Sequence, residues 1–213
     1  MTLETIALPI LARLAAKNAQ REAVLAASRP LVQHAARAIR AIHRQEWAVA
    51  DAILAEAQAV LEAMNRAAAG HADLAAAGYL LDAQKEYSEA HLVRALAQGA
   101  PLPTPEDLAV DDAAWLHGLG EAAGELRRAA LDAIRRGAVG EAEEFLGRMD
   151  DIYALLSTVD FPGAITRDLK RTNDMVRGVV ERTRGDLTVA VRQEALQAAL
   201  ERLEGRVEGI EGR

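Results

Sequence analysis

The chain has 213 residues, half of them apolar but only seven aromatic, no cysteine, and a formal net charge of −7. That length suits one well-buried domain or at most two small ones, and an apolar set dominated by alanine favours close-packed helices over sheets, which draw on β-branched and aromatic residues. The missing cysteines exclude disulfides and thiolate metal sites, and no apolar run approaches the roughly 18–20 residues of a membrane span. The N-terminus lacks the basic region and cleavage site of a signal peptide, so a cytoplasmic protein with no membrane partner is expected.

In chain order, the first helix is expected over 3–45, with a possible bend at Pro30, and the next over 46–69, ending at the joint Gly70-His71. A third covers 73–98 and stops at the loop Gly99-Ala-Pro-Leu-Pro-Thr-Pro105. Within Thr104-Pro-Glu-Asp107 a cap and a proline at the first helical position predict a short turn of helix near 105–109. Helices over 111–136 and 140–158 flank the turn at Gly137 to Gly140, and Asp160-Phe-Pro-Gly163 opens the last, 162–204. There Ile165, Leu169, Thr172, Val176, Val179, Thr183, Leu187 and Val191 advance by three or four residues, an amphipathic stripe. The expectation is an all-α, single-domain bundle of about six or seven helices over 1–204. The tail, 205–213, ends in Ile210-Glu-Gly-Arg213, which matches a protease site used to remove affinity tags and is assigned no function.

The charge is unevenly spread. Residues 11–44 carry seven bases against one acid, 45–160 carry 21 acids against eight bases, and 161–192 carry seven bases against four acids. Two basic segments therefore flank an acidic middle, and distribution counts for more than total in judging a polyanionic partner. In the first basic segment Arg37, Arg40 and Arg44 share one helix face. Such a row neutralises phosphates and releases their counterions, although a row of this kind is ordinarily a solvated face. In the second, Arg167, Arg171, Asp174, Arg177, Glu181 and Arg184 form one stripe of mixed sign, readable as a ladder of salt bridges along the helix. Gly178 and Gly185 in mid-helix each cost about 1 kcal/mol relative to alanine, which asks for a closely approaching neighbour or ligand.

Carboxylates form the third pattern. Asp82, Glu86 and Glu89 fall on one helix face, as do His117, Glu121 and Glu125 on another. Two such helices facing each other would supply the oxygen ligands that suit Mg²⁺ or Mn²⁺, ions that drive phosphodiester hydrolysis. A di-iron bundle is excluded because no Glu-x-x-His is present and Glu89-Ala-His91 has the wrong spacing. No phosphate-binding glycine loop or nucleophile elbow occurs. Trp47 and Trp115 read as packing anchors rather than base-stacking platforms.

Three passages together resemble the translin family, and within it the branch typified by translin-associated factor X (TRAX) and its archaeal relatives. They are Ser28-Arg with Arg37-Ala-Ile-Arg-Ala-Ile-His-Arg44, Lys85-Glu-Tyr-Ser-Glu-Ala90, and the stretch from Gly118-Leu-Gly-Glu-Ala-Ala-Gly-Glu-Leu-Arg127 through Asp160-Phe-Pro162 to Lys170-Arg171 and Glu181-Arg-Thr-Arg-Gly-Asp-Leu187. The resemblance is distributed over about 28–187. It implies an all-α subunit that assembles into a closed hollow homo-oligomer, typically an octamer, and binds single-stranded RNA or DNA on inward-facing basic surfaces. TRAX-type subunits are Mg²⁺-dependent endoribonucleases, whereas translin-type subunits bind without cleaving. By matching position, Glu86, Glu89 and Glu121 would be the metal ligands and, with Glu125, the catalytic set. Glu121 stands where the family usually has aspartate, which lengthens that ligand by one methylene. Arg37, Arg40, Arg44, Arg171, Arg177 and Arg184 would hold the nucleic-acid backbone. Two alternatives stay open from the sequence: a nucleic-acid binder without chemistry, and a helical scaffold whose charged stripes only join subunits.

Overall fold

A computed structural model of the chain describes residues 2–211, with side chains to residue 207. Among the described residues there are nine helices and no strand: α1 (Leu3–His43), α2 (Trp47–Ala68), α3 (Ala72–Ala75), α4 (Gly78–Gln98), α5 (Pro105–Leu108), α6 (Asp112–Arg135), α7 (Val139–Ser157), α8 (Gly163–Thr166) and α9 (Leu169–Glu211). None of them is long and apolar enough to cross a membrane.

The helices expected over 73–98 and 162–204 are each broken in two. Ala77 adopts an extended conformation between α3 and α4. Arg167 and Asp168 are both left-handed, with φ of 54° and 61°, and separate α8 from α9. α1 runs unbroken through Pro9 and Pro30. α9 continues past residue 204 to Glu211, so the expected tail is helical over 205–211, while Gly212 and Arg213 lie outside the described residues.

The chain forms two compact units, the first comprising residues up to 122 together with 161–169, the second 123–160 and the chain from 170 onward. In the first, α1 packs on α2 and α4. Its interior is built from residues three or seven apart on each helix: Val24, Leu31, Leu61, Met64, Leu80 and Tyr87 are all at most 2% exposed. Arg94 lies over the Trp47 ring, 5.0 Å from its centre, and forms a forked pair with Asp51 at 2.8 and 3.1 Å. The Trp115 indole donates to the Pro103 carbonyl at 3.0 Å. Both tryptophans are thus anchors, as their setting in the sequence suggested.

In the second unit Leu126, Ala130, Met149, Leu156, Val176 and Val180 are buried. The α9 stripe holds from Leu169 to Leu187 and fails at its ends, where Ile165 is 67% and Val191 37% exposed. Thr183 is fully buried yet satisfied: its hydroxyl donates to the Val179 carbonyl and accepts from Arg127, which also pairs with Asp186.

One polar bridge fixes the start of α6 against α4. Gln84, 5% exposed, donates to Asn65 Oδ1 at 3.1 Å and accepts from the Asp111 N–H at 3.0 Å. Asp111 in turn caps α6 by accepting from the N–H groups of Ala113 and Ala114. Replacing Gln84 with Leu leaves a backbone donor and a side-chain acceptor without their partner, which costs about 1–3 kcal/mol. Urea denaturation of Gln84→Leu should show that loss, and a change below about 0.5 kcal/mol would show that the bridge carries no weight.

Candidate metal centre

Glu86 and Glu89 project from α4, whose opposite side is held in the core by Leu80, Ala83 and Tyr87. Ser88, fully buried, turns its hydroxyl back to the Gln84 carbonyl at 2.8 Å, leaving a smooth surface for α6. α6 meets that surface at Gly118. A Cβ there would lie 2.8 Å from the Lys85 carbonyl oxygen and 2.9 Å from both the Glu89 nitrogen and the Ser88 Cβ. The two backbones therefore touch at a point that only glycine permits, and Glu121, one turn along α6, reaches the level of the α4 glutamates.

The result is a cluster in which one carboxylate oxygen from each of Glu86, Glu89 and Glu121 lies within 4.8 Å of the others, the only such group among the described residues. Glu89 is 6% exposed and its two companions are partly buried. At that separation two carboxylates repel by about 3 kcal/mol at an effective dielectric constant of about 20, so the arrangement calls for positive charge. Three hard oxygen donors on two rigid helices fit Mg²⁺ or Mn²⁺ and do not suit a soft metal.

The cluster meets a cation supplied by its own chain. Lys85 Nζ lies 2.6 Å from Glu121 Oε1 and 3.0 Å from Glu86 Oε1. Burial pushes this ammonium toward neutrality, but the hydrogen bonds it donates to Glu121 and Glu86, with the charges of those two carboxylates, outweigh burial and hold its pKa above the ordinary lysine value. Helical spacing does not reveal this contact, because Glu121 lies 36 residues from Lys85.

Of the six residues on the two expected ligand faces, the structure gathers three. Asp82 is paired with Arg167 at 2.8 Å. His117 donates from Nε2 to the Thr166 carbonyl at 2.9 Å. These contacts strap the α8–α9 junction, with its two left-handed residues, to α4 and α6 one turn ahead of Glu86 and Glu121. Glu125 sits one turn beyond Glu121 on α6 and is not among the three that converge.

On α1, Arg37, Arg40 and Arg44 are all exposed. Arg44 is held by Glu46 through contacts of 2.9 and 2.7 Å, whereas Arg37 and Arg40 have no ion-pair partner among the described residues. On α9, Arg171 and Arg177 are likewise exposed and unpaired within the described chain, and Arg184 binds Asp150 on α7 at 2.7 Å. The ladder expected along α9 reduces to one contact, Glu181 with Arg184 at 4.0 Å. The chain itself brings nothing within 4 Å of an added Cβ at Gly185, and only the tip of Arg182 near Gly178.

No family model matches the chain. An uncharacterized protein of Methanocaldococcus jannaschii is 27% identical to it over 192 residues, spanning 90% of this chain and 85% of that protein. Among solved structures, AfC3PO superposes with a TM-score of 0.77 at 31% identity, and AfC3PO in complex with duplex RNA with 0.76 at 30%. Each of these comparisons covers 87% of this chain and 96% of the other. Apo-NeC3PO, 17% identical, has the same fold, with a TM-score of 0.77 over 89% of this chain. An all-helical chain that superposes on these structures and carries a glutamate cluster across two helices is of the C3PO class. It belongs to the translin/TRAX family.

Gly118 is decisive for the cluster's geometry. Gly118→Ala should overpack the α4–α6 contact and cost about 1–3 kcal/mol. Gly124, in the same helix with nothing within 4 Å of an added Cβ, is the matched control, and Gly124→Ala should gain up to about 1 kcal/mol from helix propensity. Equal urea midpoints for the two variants would show that the backbones do not meet at Gly118.

Proposed function

We propose that this chain is a homo-oligomeric RNA-binding protein that cleaves single-stranded RNA as an endoribonuclease dependent on Mg²⁺ or Mn²⁺. The observation that carries the reading is the convergence of Glu86, Glu89 and Glu121 within 4.8 Å, at the three positions where the family resemblance places metal ligands. RNA as the ligand class is supported by the complex of AfC3PO with duplex RNA. Glu86, Glu89 and Glu121 hold the ion, and Glu125 assists from the next turn of α6. A divalent ion held there would supply Lewis-acid stabilisation of the scissile phosphate and lower the pKa of a water so that it attacks as hydroxide near neutral pH. Glu89, nearly buried, fixes the inner side of the site, while the more exposed Glu86 and Glu121 face the side from which a strand arrives.

Strand holding falls first to Arg37, Arg40, Arg171 and Arg177, which carry no competing carboxylate. Arg44 and Arg184 must exchange Glu46 and Asp150 for a phosphate, which reduces their net contribution. Assembly is supported by the apolar residues left in water: Leu3, Leu8, Leu11 and Leu14 on α1 are 58–85% exposed, and Leu196, Leu200 and Leu203 on α9 are 50–61% exposed. Surfaces of that kind are covered by other subunits more often than by water. A closed octamer with arginines inward and acids outward reconciles a net charge of −7 with a polyanionic ligand.

A second reading, an RNA binder without chemistry, is favoured by one observation, the Lys85 ammonium seated against two of the three carboxylates. Labelled single-stranded and duplex RNA incubated with Mg²⁺ or Mn²⁺ separates the two, because a pure binder leaves both intact. In a cleaving enzyme, Glu89→Gln should lower the cleavage rate at least about a hundredfold while RNA affinity measured without divalent ions stays within about twofold. Undiminished cleavage by that variant would remove Glu89 from the mechanism. For the basic surface, the double variant Arg37→Ala/Arg40→Ala should weaken binding and lower the slope of log affinity against log salt by about 0.7 per arginine. An unchanged slope would place the strand elsewhere.

A further inference from the structure

The glutamate cluster is already served by a cation of the chain's own. Lys85 Nζ is within hydrogen-bond distance of one oxygen of Glu121 and one of Glu86, at 2.6 and 3.0 Å, and its side chain is 19% exposed. A divalent ion held by the same carboxylates sits about 2.1 Å from its ligand oxygens, which brings it within a few ångströms of that ammonium. The two cations compete for the same negative charge and repel each other in a partly dry setting where such repulsion is weakly screened.

We infer that Lys85 is an internal competitor for the divalent ion, one that gives up Glu86 and Glu121 when an RNA phosphate draws the ammonium to itself. The inference rests on the metal-centre reading above. A four-carbon stem with a compact, freely turning head is suited to such an exchange, and lysine is a general partner of phosphates. The exchange needs no helix movement, because the backbone of residue 85 is held where its carbonyl faces Gly118. Glu121 is the matching half of the device. An aspartate there would draw the carboxylate back by about one carbon–carbon bond of roughly 1.5 Å, and the 2.6 Å contact with Lys85 would open. The lysine and the longer acid therefore function as a pair. By linkage, a phosphate that removes the competitor tightens ion binding, and the ion tightens RNA binding by the same factor.

The test is a Mn²⁺ titration of the intact protein, reading free Mn²⁺ by electron paramagnetic resonance, so that no activity is involved. Lys85→Met should bind Mn²⁺ about tenfold or more tightly than the wild type, while Lys85→Arg, which keeps the charge, should stay within about threefold of it. A single-stranded 2′-O-methyl RNA, corrected for the Mn²⁺ that the oligonucleotide binds alone, should tighten Mn²⁺ binding to the wild type and leave Lys85→Met unchanged. Equal or weaker binding by Lys85→Met overturns the inference, as does equal tightening of both proteins by the oligonucleotide. Failure of the metal centre itself has a different signature: Mn²⁺ binds none of these proteins, or binds Glu89→Gln as well as the wild type.

Discussion

The approach of α4 and α6 at Gly118 is the contact on which the rest of the site depends. A glycine there lets one helix backbone rest on the other, 2.8 Å separating a would-be Cβ from the Lys85 carbonyl. Everything in the cluster follows from that proximity: Glu121 reaches Glu86 and Glu89, and Lys85 reaches Glu121. The contact is also guarded at both ends. The Gln84–Asp111 hydrogen bond sets the start of α6 against α4, and the α8–α9 junction ties Asp82 and His117 one turn ahead of the glutamates. Preorganisation of this kind places like charges together and leaves a cation to satisfy them.

Much of this was legible in the residues, and the rest was not, for identifiable reasons. The apolar spacing from Leu169 to Leu187 gave the buried face of α9, because a helix that covers a core must repeat every three or four residues. Gly78 stands beside the break at Ala77, whereas no glycine or proline lies at Arg167-Asp168. Tertiary contacts impose the second of these, and the Arg167–Asp82 and His117–Thr166 contacts across it span 85 and 49 residues. Helical spacing likewise put Asp82 with Glu86 and Glu89, and His117 with Glu121 and Glu125, but spacing cannot tell which side chains on a face are claimed by another element. Asp82 and His117 are so claimed. The assignment of Glu86, Glu89 and Glu121 as a set came from the family resemblance, and the geometry is compatible with it.

Lys85 changes how the acidic cluster reads. Three carboxylates alone would suggest a site waiting for metal, and a lysine bridging two of them would suggest a structural ion pair. Both descriptions hold if the ammonium and a divalent ion take turns at the same oxygens. An RNA strand bound at the site, as proposed, would bring phosphates, a kind of group able to compete for the lysine.

The most direct measurement is a crystal structure of the protein grown with Mn²⁺, with data collected at the manganese absorption edge. The account predicts an anomalous peak bonded to Glu86, Glu89 and Glu121, with Lys85 turned away from Glu86 and Glu121. A map with no peak at the three glutamates at saturating Mn²⁺, or a peak coordinated by other residues, would contradict it.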